Sequence, residues 1–182
     1  MFYFNMKRVA VYIDGSNLYH SAKKKFDCKV DIEKLCKKLT SENSLIKINY
    51  YISPVNKQSN PEMYSEQQKF FKKLREIKNL KIIFGRLEKR KRDGKIYFVE
   101  KATDVNLALD LVLDAQGNDY DEAYLISNDG DFSGAVKAAI ERFGKEVIYV
   151  AIGNGKMISH HLKKVASKTL NIENDFIDEV EL

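Results

Sequence analysis

The sequence predicts an α/β protein: a three-layer α/β/α sandwich around a mainly parallel central sheet, with a basic β-hairpin added. Three observations carry that prediction. Short apolar runs rich in β-branched residues recur along the chain and are too short for helices. Stretches with apolar residues at helical spacing separate them, so successive strands need crossover connections, and crossovers make parallel sheets. Residues 86–101 break the alternation by placing Asp93-Gly94 between two strand-like flanks, a hairpin turn signal.

The elements follow in order. RVAVYI (8–13) reads as a buried strand that ends in DGSN, and a helix is expected over residues 18–25. Asp31 is placed to cap IEKLCKKL, whose Ile32, Leu35, Cys36 and Leu39 share one helical face. SLIKINYYIS (44–53) is a second strand closed by Pro54. Residues 62–78 form a helix with Met63, Phe70, Phe71, Leu74 and Ile77 on its apolar side. LKIIFGRL (80–87) is a third strand, and IYFV is the return strand of the hairpin. ATDVNLALDLVLDA is a helix, AYLIS a strand, FSGAVKAAIERF a helix ended by Gly144, and KEVIYVAI a strand. A last helix is expected over residues 156–167.

The 182 residues suit one well-cored domain spanning 1–182, with its core at about 8–166 and an acidic tail at 171–182. The apolar share of 44% and the charged share of 31% exclude a disordered chain. There is no apolar run of transmembrane length, and the opening FYF is too short for a secretory signal, so a cytoplasmic location without membrane contact is expected. Cys28 and Cys36 have no His beside them and no second pair of Cys, which reads as two plain thiols. Net charge +5 favours polyanionic partners. The charge is concentrated: residues 86–101 hold seven basic residues against three acidic ones, while acids gather at strand ends. Lysines beside carboxylate clusters suit an enzyme that binds phosphates through both metal ions and cations.

Three aspartates lie where a parallel sheet brings distant segments together, beyond the carboxyl ends of its strands. Asp14 ends the first strand, Asp129 follows the strand AYLIS, and Asp104 opens a helix. Clustered carboxylates repel, so such a group calls for a hard cation, and oxygen ligands without His or Cys select Mg²⁺ or Mn²⁺. Structural roles compete with this reading. Asp131 suits an N-cap or first-turn position, Asp104 a first turn behind a Thr103 cap, and Asp14 an Asx-type turn with Gly15. Asp110 lies about 240° around the helix from Asp104 and suits a polar partner in the core. Asp114 and Asp119 read as solvated. GNGKMI lacks the glycine and hydroxyl spacing of a phosphate loop. His20, His160 and His161 have no nucleophile to serve and read as structural or surface residues.

The blocks VYIDGSNLYHSAKK, EKATDVNLALDLVLDA and EAYLISNDGDFSGAVKAAIERFGKEVIYVAIG, in that order over about residues 8–166, resemble the NYN family, the LabA-like branch of PIN-like ribonucleases. The ordered set, with Lys101-x-x-Asp104 before the central helix, is specific where any one block would be weak. The resemblance implies a PIN-like α/β/α fold and metal-dependent cleavage of RNA. It places the metal-holding acids at Asp14, Asp104 and Asp129, with Asp131 as a further catalytic acid. Asn17 would orient a ligand or bind phosphate, and Asp110 matches a family position. Two departures stand out: Ala102 replaces a frequent glycine, a change a helix approach should tolerate, and Ser167 follows Ala166 where an aspartate is usual.

The expected activity is hydrolysis of RNA phosphodiester bonds with Mg²⁺ or Mn²⁺. Lys101, Arg90, Lys91, Arg92, Ser16 and Ser127 would contact the nucleic acid, and Tyr97 or Phe98 would stack a base. RNA, or single-stranded nucleic acid generally, is the expected partner. Apolar residues near the two chain ends suit a homodimer. The rival expectation is a non-catalytic nucleic-acid-binding regulatory module on a nuclease-like fold. A phosphatase with Asp14 as nucleophile would need an acid at position 16, where Ser16 stands.

Overall fold

Strand β1 (Arg8–Asp14) shows why the sheet is covered on both sides. Val9, Val11 and Ile13 point to one face, Ala10 and Tyr12 to the other, and all five are at most 1% exposed. The computed structural model describes residues 6–41, 43–92 and 95–182, and the backbone alone at 92 and 95. The Asp93-Gly94 turn and the opening FYF lie outside the described residues.

The chain continues through α1 (Gly15–Phe26), α2 (Ile32–Leu39), β2 (Ser44–Ile52), α3 (Pro61–Glu76) and β3 (Leu80–Phe84). A hairpin follows, β4 (Arg86–Arg92) and β5 (Lys95–Lys101), then α4 (Thr103–Gln116) and β6 (Glu122–Ile126). The last part holds α5 (Ser133–Phe143), β7 (Glu146–Ile152), α6 (His160–Val165), β8 (Lys168–Ile172) and α7 (Asn174–Asp178). Among the described residues, six strands form one parallel sheet in the order β3-β2-β1-β6-β7-β8, and β4 pairs antiparallel with β5 outside it. Helices α1, α2, α3 and α7 pack on the β1 face that carries Val9, Val11 and Ile13; α4, α5 and α6 pack on the face of Ala10 and Tyr12. This is the expected α/β/α sandwich with its basic hairpin.

Several local expectations are corrected. Helix α1 begins at Gly15, three residues early, because Asp14 itself caps it: Asp14 Oδ1 accepts from the Asn17 N–H at 3.0 Å. Gly15 serves close packing, since a Cβ there would lie 2.5 Å from the buried Tyr50 ring. The third strand stops at Phe84. At Gly85 a Cβ would sit 2.5 Å from Ser53 Oγ and 2.7 Å from the Lys101 carbonyl oxygen, so the chain leaves the sheet over the tip of β2 and enters the hairpin. Met63 on α3 is exposed rather than core-facing, while Phe71 and Leu74 carry that contact.

The segment expected to be an acidic tail instead supplies the end of β8 and all of α7 and buries Ile172, Ile177 and Val180. Those apolar residues are used within the protein's own core; the apolar residues at the other chain end that suggested a dimer lie outside the described residues. Exposed apolar residues do line α4 at Val105, Leu109 and Leu113. Cys28 and Cys36 are buried free thiols. No helix among the described residues is long and apolar enough to cross a membrane.

Candidate active site

Chain connectivity reverses between β1 and β6, neighbours in the sheet, and in open parallel sheets ligands bind at such a switch point beyond the strand ends. Asp14 stands there at the end of β1. Its second carboxyl oxygen accepts from Ser127 Oγ at 2.9 Å, and Ser127 Oγ accepts from the Asp129 N–H at 3.1 Å. The Asn17 side-chain oxygen accepts from the Asn128 N–H at 3.0 Å, which ties the first turn of α1 to the loop after β6. Asn128 is anchored in turn by its amide donating to the Ile152 carbonyl at 2.6 Å and by Tyr149 Oη donating to its Oδ1 at 2.7 Å. A continuous hydrogen-bonded floor therefore joins β1, α1, β6 and β7 beneath the acids.

An open cleft of about 390 Å³ rises from this floor, lined by Asp14, Asp104 and Glu100 together with Ser16, Asn17 and Thr103. Burial first, and then the charges of Asp104 and Glu100, push the Asp14 carboxyl up to about 6, against the pull of the Asn17 N–H and the Ser127 hydroxyl. Asp104, in the first turn of α4, is also raised, by partial burial and by the negative charges of Asp129, Glu100 and Asp131. Among the described residues no lysine or arginine forms an ion pair with Asp14, Asp104, Asp129, Asp131 or Glu100. Among the described residues these acids share a field with no fixed counter-charge.

Asp129 and Asp131 come close enough to act on Asp104, yet neither lines this cleft. Asp131 holds the first-turn position expected of it, and the cap of that turn comes from Asp129. Asp129 caps the short 3₁₀ turn Gly130–Phe132 by accepting from the Asp131 N–H at 2.9 Å, and Asp131 is a first-turn acid. Thr103 is the first helical residue of α4, and Ala102 before it supplies no side-chain cap. Ser127 is corrected from a nucleic-acid contact: it is 3% exposed and its hydroxyl is committed to Asp14. Ser16 Oγ donates to Glu100 Oε2 at 3.3 Å.

Glu100 was not among the expected acids. It hides in a run of basic residues, and only the strand pairing reveals its direction. Its other oxygen accepts from the Ser53 N–H at 3.0 Å, so it fastens the hairpin root to the tip of β2. Residues opposite one another in an antiparallel pair share a face, and the pairs Leu87–Glu100, Lys89–Phe98 and Lys91–Ile96 therefore lie on Glu100's side. Lys91 and the unforeseen Lys89 extend from the cleft side, whereas Arg90 lies on the opposite face with Tyr97 and pairs with Glu88 at 3.1 Å. Arg92 pairs with Lys95 in the ladder. Lys101 ends β5 at the hairpin root, opposite Arg86. Asp110 is turned away from the cleft and accepts from Tyr51 Oη at 2.7 Å.

The donor set suits a hard divalent cation, being all oxygen and mutually repelling. Among the described residues no three His, Cys, Asp or Glu side chains meet as a ready ligand group. Mg²⁺ does not require one, since it keeps several waters and is held by one or two carboxylates together with substrate phosphate. Asp14 and Asp104 facing one cleft meet that lesser requirement.

A sandwich with carboxylates gathered at its switch point is the architecture of PIN-like, nuclease-type domains. The NYN domain family matches residues 8–173, and the chain belongs to that family. NYN domains are nuclease-type domains associated with RNA, and nucleases of this kind generally use divalent metals. The fold is also similar to the crystal structure of a protein of unknown function from Vibrio parahaemolyticus RIMD 2210633, with a TM-score of 0.75, 24% identity and 100% of each chain covered. At that identity the likeness is one of fold. No curated protein matches the sequence.

Proposed function

We propose that this NYN protein is a ribonuclease of the LabA-like branch that hydrolyses RNA phosphodiester bonds with Mg²⁺ or Mn²⁺ held by Asp14 and Asp104, with Asp129 adding negative charge beside Asp104. The observation that carries this reading is the pair Asp14 and Asp104, which line one open cleft, are raised in part by neighbouring negative charge, and have no cationic partner among the described residues. When bound, such an ion supplies Lewis-acid charge to the scissile phosphate and acidifies a water nucleophile. The protein's own part is to fix the acids: Ser127 and the Asn17 N–H hold the Asp14 carboxylate in one orientation, and Asn17 locks α1 to the loop that carries Asp129. Asp131, in the turn that Asp129 caps, adds negative charge beside Asp104. Lys89 and Lys91 contact the RNA backbone without reading sequence, and Phe98, on their face, stacks a base, while Lys101 at the hairpin root lies on the opposite face with Arg90.

The second reading, a nucleic-acid-binding module without catalysis, is favoured by the lack of a ready three-acid ligand group among the described residues. One experiment separates the two: single-stranded RNA is incubated with the protein and Mn²⁺, with and without a chelator, beside Asp14→Asn. The nuclease reading expects cleavage that the chelator abolishes and that Asp14→Asn lowers by at least about a hundredfold. RNA that is bound and left intact by the wild-type protein would establish the binding module instead.

A further inference from the structure

The acids account for only part of the cleft. The same cavity extends along α1 past His20, Ser21 and Lys24 and takes in Met157 from the turn at Gly155–Met157. Asn17, His20, Ser21 and Lys24 fall at i, i+3, i+4 and i+7, so they form one polar face of α1, while Leu18 and Ala22 on another face are buried in the core. Three consecutive lysines end this helix, and they differ. Lys23 is paired with Asp27, and Lys25 donates to the Ile172 carbonyl at 2.6 Å and to Glu173. Lys24 lines the cleft, is exposed, and forms no ion pair among the described residues.

We propose that Lys24 and His20 form a phosphate subsite for the nucleotide next to the scissile one in a single-stranded nucleic acid, with Met157 facing its base. The proposal rests on the nuclease-type reading only in requiring that a nucleic acid enter this cleft. An acid-lined cleft repels a polyanion, so a strand that reaches the acids needs cationic donors on its way in. Lys24 is seven residues beyond Asn17, about 10 Å along the helix axis, a distance suited to a neighbouring phosphate rather than the one at the acids. Its ammonium offers three N–H donors as a compact charge, and the His20 ring adds an N–H donor one turn nearer the acids. Met157 is half-buried and set against Gly153; its thioether gives an adaptable apolar contact that suits any base. The cleft of about 390 Å³ runs from the acids to Lys24 and Met157, so a strand entering it passes both places.

The test uses Asp14→Asn as a background that binds without cutting, and a short single-stranded oligoribonucleotide as the probe. Affinity is measured over a range of salt concentrations for Asp14→Asn alone, with Lys24→Ala, and with Lys23→Ala. Adding Lys24→Ala should weaken binding about tenfold at low salt and flatten the plot of log affinity against log salt by about 0.7, while Lys23→Ala changes affinity less than about twofold. In the otherwise wild-type enzyme with Mn²⁺, Lys24→Ala should raise KM and leave kcat unchanged. Equal effects of Lys23→Ala and Lys24→Ala, an unchanged salt slope, equal affinity for duplex RNA, or no binding of the probe would each overturn the subsite. Metal-dependent cleavage with Lys24-independent binding would leave the nuclease reading standing and remove the subsite. Lys24-dependent binding without cleavage by the wild-type protein would do the opposite.

Discussion

Helix α4 carries Asp104 at one end and Asp110 and Asp114 further along, and it gives them opposite surroundings. Asp110 accepts from Tyr51 Oη at 2.7 Å, and Asp114 accepts from Tyr12 Oη at 2.6 Å and pairs with Lys47 at 2.8 Å. Burial and the adjacent acids push both tyrosine hydroxyls far up, so they remain protonated and act as fixed donors. These pairs bind α4 to β1 and β2. Asp104, with Asp14 across the cleft, has acids for neighbours instead. The structural aspartates of α4 are held by tyrosine hydroxyls from the sheet, while the cleft aspartates keep other acids as their charged neighbours.

Breaking the satisfied end of this comparison should have the largest effect on stability. Asp114→Ala leaves the fully buried Tyr12 hydroxyl without its acceptor and Lys47 with only the more distant Asp119, at 4.0 Å. The expected cost is about 3 kcal/mol in chemical denaturation, with RNA cleavage per folded molecule unchanged. A loss of cleavage in the fully folded variant would show that Asp114 belongs to the site.

At the cleft the sign reverses. The Asp14 carboxyl titrates near 6 in the folded protein against an ordinary value of 3.8, so between those values the native state holds more protons than the unfolded one. Stability of the metal-free protein therefore falls as pH rises through that window and levels off above it. Asp14→Asn reduces the slope to what Asp104 contributes and, above pH about 6, should stabilise the metal-free protein by about 2 kcal/mol while abolishing cleavage. Denaturation of both proteins at pH about 4 and about 7 checks this, and an unaltered pH slope in the variant would refute it. Mn²⁺ at about ten times its Kd should then stabilise the wild type by about 1.4 kcal/mol and Asp14→Asn by much less, read as a shift in Tm.

The same contrast separates what the sequence discloses from what it conceals. Asp14 and Asp129 stand out because an apolar strand gives way abruptly to acid, a signal contained within a few residues. The alternation that buries β1 on both faces is equally local, and with it the layer arrangement can be read. Asp114 looks solvated because its partners, Tyr12 and Lys47, are brought to it only by the sheet. Glu100 sits in a basic run, and which way it points depends on a cross-strand pairing that composition does not reveal. Ile172, Ile177 and Val180 are too widely spaced among acids to announce a strand and a helix, so the last edge of the sheet looks like a tail. His20 and Lys24 join one face with Asn17 only because α1 starts at Gly15, and that start depends on Asp14 acting as its cap.

The smallest expected effect concerns the backbone at the two ends of α4. Ala102, just before Asp104, has φ +74° and ψ −13°, a left-handed conformation, whereas Gly117 after the helix has φ −70°. The glycine stands at the end that does not need one. An alanine Cβ in the left-handed region costs about 1–2 kcal/mol, and a glycine there gives back about 0.4–1 kcal/mol through the greater freedom of the unfolded chain. Ala102→Gly should therefore stabilise the protein by less than about 1 kcal/mol, seen as a higher urea midpoint at constant m-value. Ala102→Val should destabilise it by more, because a β-branched residue fits positive φ worst. The tolerance expected of Ala102 from sequence thus comes with strain, located at the joint that aims both Glu100 and Asp104. Gly117→Ala should be nearly neutral, since its Cβ would lie 3.3 Å from Asp119 Oδ1, which is exposed and free to move. A larger loss at Gly117 than gain at Ala102 would show that the strain lies at the satisfied end of the helix and not beside the cleft.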